Sequence, residues 1–136
     1  MKQVRIYSTP DGESQFEELG MVFSSVDYAP PAEPLGVTPS VGATQYVLVK
    51  VPKNWDGGMH PAPRRQLMVV LSGRDEIISS NGISHIFEPG DILLMEDTAG
   101  KGHISRCADD TTVLMVHLAK LHDSSCSWQD GVRSLW

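Results

Sequence analysis

A chain of 136 residues with 40% hydrophobic content fits one domain and can bury a core large enough to stand alone. The formal charge is −6 at pH 7, and basic residues are scattered except at Arg64-Arg65, which excludes the clustered Lys/Arg surface that nucleic-acid phosphates require. Two cysteines without a Cys-x-x-Cys spacing exclude a disulfide framework, and no apolar run approaches the ~20 residues of a membrane-spanning helix. Met1-Lys2-Gln3-Val4-Arg5 lacks the apolar stretch of a secretory signal, so neither a membrane nor secretion is expected, and the location expected is cytoplasmic.

Residues 3–7 form a strand candidate, stopped by the turn Thr9-Pro10-Asp11-Gly12. Residues 13–23 are polar with a few apolar positions and fit either a short helix or an edge strand. Pro30, Pro31, Pro34 and Pro39 make residues 28–40 an extended surface loop, because proline fixes φ and offers no N–H. Residues 44–51 alternate as a strand does.

From Arg65 onward the pattern is almost entirely β. Residues 66–71 are an apolar strand ended by Ser72-Gly73. Strands at 75–79 and 83–87 flank Ser80-Asn81-Gly82, and Asn-Gly is the strongest short signal for a tight hairpin. Glu88-Pro89-Gly90-Asp91 is a turn, 92–96 a strand, and 98–102 a glycine-containing loop. A last hairpin joins 103–107 to 111–118 across Ala108-Asp109-Asp110. Strands this closely spaced, with turns between them, predict a sandwich or barrel. The tail at 124–136 is polar apart from its tryptophans and fits a short docked helix or a disordered end. The expected division is an N-terminal arm with edge strands over 1–50, a core over 51–120 and a tail over 121–136.

Two segments carry the chemistry. One runs His60-Pro61-Ala62-Pro63-Arg64-Arg65-Gln66 and closes at Gly73; the other opens at Pro89-Gly90-Asp91 and leads to His103. Together they resemble the paired motifs of the cupins, over residues 55–118, and in particular small single-domain bacterial cupins with a degenerate metal motif. The resemblance implies an all-β, double-stranded β-helix (jelly-roll) barrel that brings two histidines into one pocket. It places His60 on the family's first histidine, Ala62 on the second, Gln66 on the glutamate and His103 on the histidine of the second motif. The loop before His103 is about two residues longer than the family pattern, Glu96 stands where proline is common, and Cys107 where asparagine is frequent. The resemblance further implies a homodimer, for which the exposed strand 44–51 would serve, since an unpaired edge is a template for another strand.

Strand alternation, continued without a bulge from His60, puts Arg64, Gln66, Met68 and Val70 on the face of His60. A pocket of His60, Arg64, Gln66, Met68 and His103 follows. The leading reading is a small-molecule-binding protein: the planar Arg64 fork suits a small carboxylate or an acidic sugar, and the histidines and Gln66 add donors and acceptors. An imidazole there is also suited to acid–base work near neutrality. The alternative is a mononuclear metal-dependent enzyme of dioxygenase or isomerase type, with His60, Gln66 and His103 around a divalent Zn, Ni, Fe or Mn and with His117 or Asp97 available to complete the set. Against it stand the lost glutamate charge and the Arg64 cation. A third reading is an interaction module with a vestigial pocket.

Plainer roles compete at each position. Arg64 suits an ion pair at the surface or between subunits, Arg65 a solvent-facing position, and Gln66 the satisfaction of backbone groups. His85 and His122 read as surface residues, His117 as packed or hydrogen-bonded, and Lys101 as solubilising a turn. Trp55 reads as a core or interface aromatic, with a lid role as the lesser alternative. Cys107 reads as a buried, inert thiol.

Overall fold

The computed structural model describes residues 1–120; the tail expected at 121–136, with its His122, lies outside the described residues. The described chain is all β. Its strands are β1 (Gln3–Ser8), β2 (Ser14–Glu18), β3 (Ser24–Val26), β4 (Leu35–Val37), β5 (Ala43–Val51) and β6 (Trp55–His60). They continue as β7 (Gln66–Ser72), β8 (Asp75–Ser79), β9 (Ser84–Phe87), β10 (Ile92–Glu96), β11 (His103–Cys107) and β12 (Thr111–Leu118). No helix among them is long and apolar enough to cross a membrane.

The chain forms two compact units. The first joins Met1–Glu18 to Ala43–Lys120, and the second includes Leu19–Gly42. Within the second, a short ribbon that the sequence does not announce pairs residues just before the proline-rich stretch with residues inside it, Ser24 opposite Val37 and Val26 opposite Leu35. Three-residue strands carry too little alternation to rise above the proline signal.

The first unit is built from two sheets. One has the order β2-β1-β10-β7-β12-β5 and the other β6-β11-β8-β9. The core lies between them: Ile6, Met68, Leu93 and Val113 from the larger sheet meet Ile77 and Phe87 from the smaller. This is the expected jelly roll, its sheets ending among the described residues at β2 and β5 and at β6 and β9 rather than closing continuously. β1 is an interior strand, paired antiparallel to β2 and parallel to β10 with Gln3 opposite Ile92.

Period-2 alternation explains the sheet interiors. In β7, Gln66, Met68 and Val70 are buried while Leu67 and Val69 are half-buried. In β8 the inward residues are Asp75, Ile77 and Ser79, and in β11 they are His103, Ser105 and Cys107. Gly73 closes β7 at φ 80°, and a Cβ there would lie 2.4 Å from both Asp110 O and Thr111 Oγ1, so only glycine fits.

Candidate functional site

Alternation does not continue from His60 into β7. Pro61 and Pro63 end β6, residues 63–65 bend, and Gln66 opens a strand in the other sheet. His60 and Gln66 therefore approach the interior from opposite sheets, and Arg64 is carried outward by the bend.

His60 and His103 are direct partners across the β6–β11 pairing. Their ring centroids are 4.9 Å apart at an interplanar angle of 53°. The two strand ends are locked together by Gly102, at φ 74°, where a Cβ would lie 2.0 Å from His60 O. Each ring is held from its Nδ1 side. His60 Nδ1 lies 2.8 Å from Gly58 O, and because a carbonyl only accepts, that nitrogen carries the proton. His103, 2% exposed, has its Nδ1 2.5 Å from Asp97 Oδ2. Asp97 is fully buried, and its other carboxylate oxygen has no partner among the described residues. A carboxylate behind a histidine fixes both its tautomer and its ring plane. In the neutral ring each Nε2 is thereby left as an acceptor.

These rings face a cavity of about 230 Å³ whose wall includes Trp55, His60, Gln66, Asp75, His103 and Ser105. Gln66 donates from Nε2 to Met95 Sδ at 3.4 Å, which leaves its carbonyl oxygen for the interior. Asp75 is 3% exposed and accepts a hydrogen bond from Ser105 Oγ at 2.7 Å. Burial pushes its carboxyl above the ordinary carboxylate range, against the opposing effect of the Ser105 hydrogen bond. The neighbouring Cys107 thiol is pushed up to about 11, first by burial and then by Asp75, so it is a buried, unreactive thiol.

Of the five residues expected in the pocket, the structure brings His60, Gln66 and His103 to one cavity. Met68 is fully buried in the hydrophobic core instead, one inward step further along β7. Arg64 is exposed, and its guanidinium stands 3.4 Å from His117 Nδ1, outside the cavity wall. Arg65 is not solvent-facing: it pairs with Glu96 at 2.7 Å, and Glu96 also holds Arg5. His85 is half-buried with its ring 4.4 Å from Phe16, and Lys101 pairs with Glu13 at 2.5 Å. Asp75 and Ser105 were missed. The available signal was a carboxylate and a hydroxyl at inward parity in strands whose other inward residues are apolar or histidine.

The donor set does not fit a catalytic metal centre with three ionisable ligands. Ala62, at the second histidine position, ends in a methyl group and packs in the core. Asp97 is engaged behind His103, and His117 lies beside Gln45 at 3.3 Å. Among the described residues no group of three or more His, Cys, Asp or Glu is placed to hold a metal ion. The cavity wall itself offers two imidazoles, a neutral amide and the Asp75 carboxyl, itself bonded to Ser105.

No protein-family model matches the chain, and no curated protein matches it. Solved structures similar to it include an RmlC-like cupin from Shewanella frigidimarina (15% identity, TM-score 0.47, covering 87% of this chain and 94% of that one). Another is an RmlC-like cupin from Desulfovibrio desulfuricans (16% identity, TM-score 0.44, covering 71% of this chain and 79% of that one). A third is the CO-dependent transcription factor CooA from Carboxydothermus hydrogenoformans, at 21% identity and TM-score 0.40 over 53% of this chain. This chain spans only 33% of that regulator's length. The strand order described above, two sheets packed over one core, makes the fold an all-β jelly roll.

Proposed function

We propose that the chain is a small-molecule-binding cupin-type protein whose ligand occupies the interior cavity against His60, His103 and Gln66. The observation that carries this is the pair of adjacent imidazoles lining one cavity, each fixed through Nδ1 with Nε2 left unengaged. A volume of about 230 Å³ lies below the roughly 300–1,000 Å³ of sites for drug-sized ligands, so the occupant is small. Arg64, whose fork suits a small carboxylate or acidic sugar, lies outside the wall; among the described residues Lys50 is the Lys or Arg that lines the cavity. The interior offers two acceptor nitrogens, an amide oxygen, a hydroxyl and a carboxyl. That set favours a small hydroxyl-bearing compound over an anion.

Thermal-shift titration with glycerol, glucose, small amines and small carboxylates tests this. A ligand of the folded state at a hundred times its Kd stabilises by about 2.7 kcal/mol. We expect a hydroxyl-bearing compound to raise Tm in the native protein and in Arg64→Ala, and not in His103→Ala. A shift confined to carboxylates and lost in Arg64→Ala would restore the acid-binding reading. Near-stoichiometric metal in untagged protein, lost in His103→Ala, would favour the metal-dependent enzyme instead. We also propose that a second copy of the chain pairs at the free edge of β5, where Tyr46 and Leu48 are 72% and 63% exposed.

A further inference from the structure

The cavity has a neighbour. On the smaller sheet an open groove of about 390 Å³ is bordered by Trp55, Asp56, Arg74, Glu76 and Arg106. Among the described residues one is common to the walls of both the groove and the interior cavity, and it is Trp55. Trp55 therefore borders both spaces. It is also 39% exposed, unlike the core aromatic Phe87, which is fully buried.

The local backbone is built for that placement. Asn54 at φ 66° and Gly58 at φ 68° bracket the start of β6, which is an edge strand. Pairing with β11 slips between Ile104 and Arg106, so Gly57 and Gly58 belong to an irregular stretch rather than a regular ladder. The indole lies across Gly57: a Cβ there would come 2.4 Å from Trp55 Cη2 and 2.9 Å from Cζ3. Gly57 has no unusual φ, so its lack of a side chain serves the ring's position and not the backbone's conformation. A bulky side chain beside a bulge, parked on a residue with no side chain, has somewhere to sit and little to hold it elsewhere.

We propose that Trp55 is a specificity-determining residue of the site: its indole partitions the interior cavity from the outer groove and so limits the occupant to what the cavity alone can hold. The inference rests on the ligand-binding reading of the cavity for its consequence, but the partition is testable without any ligand. His103 Nε2 is the ring nitrogen available to report access to the cavity, because Nδ1 is engaged by Asp97.

Carbethoxylation of histidines by diethyl pyrocarbonate, followed residue by residue by mass spectrometry, reads the partition directly. Trp55→Ala is expected to raise the His103 rate about tenfold or more, as for a site newly opened to solvent, while the rates of His85 and His117 stay unchanged. Gly57→Ala keeps the indole but fills its resting place, and is expected to raise the His103 rate in the same way. The double variant should add nothing further. An unchanged His103 rate in both single variants, or an equal rise at all three histidines, would overturn the proposal, the latter because it reports loosening of the whole fold. Glucose and maltose then probe the size limit by thermal shift: maltose should stabilise Trp55→Ala and not the native protein. If neither sugar stabilises either protein, the hydroxyl-ligand reading fails while the histidine rates still decide the partition.

Discussion

His103 owes its usefulness to Asp97. The carboxylate is fully buried, bonds the ring through one oxygen and leaves the other without a partner among the described residues, an arrangement that costs free energy unless His103 supplies the compensation. Removing it as Asp97→Ala is expected to destabilise the protein by roughly 1–3 kcal/mol. The same change should let the ring populate both neutral tautomers, which 15N NMR of the imidazole nitrogens will show as loss of the single Nδ1–H form. A ring that keeps one tautomer in the variant would mean that something else orients it. Asp75 gives a second test, through pH. Its folded-state pKa lies above the unfolded value, so the native state binds the extra proton, and stability falls as pH rises from the unfolded pKa through the folded one. Asp75→Asn removes that slope. Urea denaturation from acid to neutral pH should therefore show the variant gaining on the native protein as pH rises. Neither carboxylate role is legible in the sequence. Asp97 reads as a ligand in a loop and Asp75 as the first residue of a strand, and only the folded chain shows which atom each one faces.

At the scale of elements, the informative failure concerns the segment between β6 and β7. Parity counted from His60 correctly turns Gln66 inward but only by coincidence, since the count crosses a bend that resets it. Pro61 and Pro63 were visible in the sequence, yet the resemblance encouraged an unbroken strand and with it an inward Arg64. Within single strands the reading was sound: 75–79, 92–96, 103–107 and 111–118 have the expected bounds because alternation and turn residues agree there. The joint that makes the site is Gly102. Its positive φ and its approach to the His60 carbonyl both exclude a Cβ. Gly102→Ala should cost more than about 1 kcal/mol from the backbone conformation alone, with the clash adding to it. It should also separate the two strand ends. The readout is paired: a lower midpoint in urea, and loss of the His60–His103 contact in NOE spectra. A variant of unchanged stability would show that β6 can move away freely.

For the molecule as a whole, the sheet order was beyond local signals. Gln3 pairs with Ile92, and nothing in either segment's pattern names the other. The free edge, by contrast, was foreseeable, and its surroundings sharpen what to expect of it. Rows of residues run in register across the larger sheet: Tyr46 beside Val116 and then Leu67, and Leu48 beside Leu114 and then Val69. The row ends at β5 are exposed apolar side chains next to a strand edge that has no partner strand among the described residues. A two-fold pairing of copies would place each β5 against its equivalent, so one substitution acts twice across the axis. Tyr46→Glu with Leu48→Glu would set four carboxylates against one another there while touching neither the cavity nor the core. Sedimentation equilibrium should then give twice the chain mass for the native protein and the chain mass for the variant, with unchanged circular dichroism. A native protein that sediments as a monomer at high concentration would show that this edge, for all its exposed apolar surface, is not where copies meet.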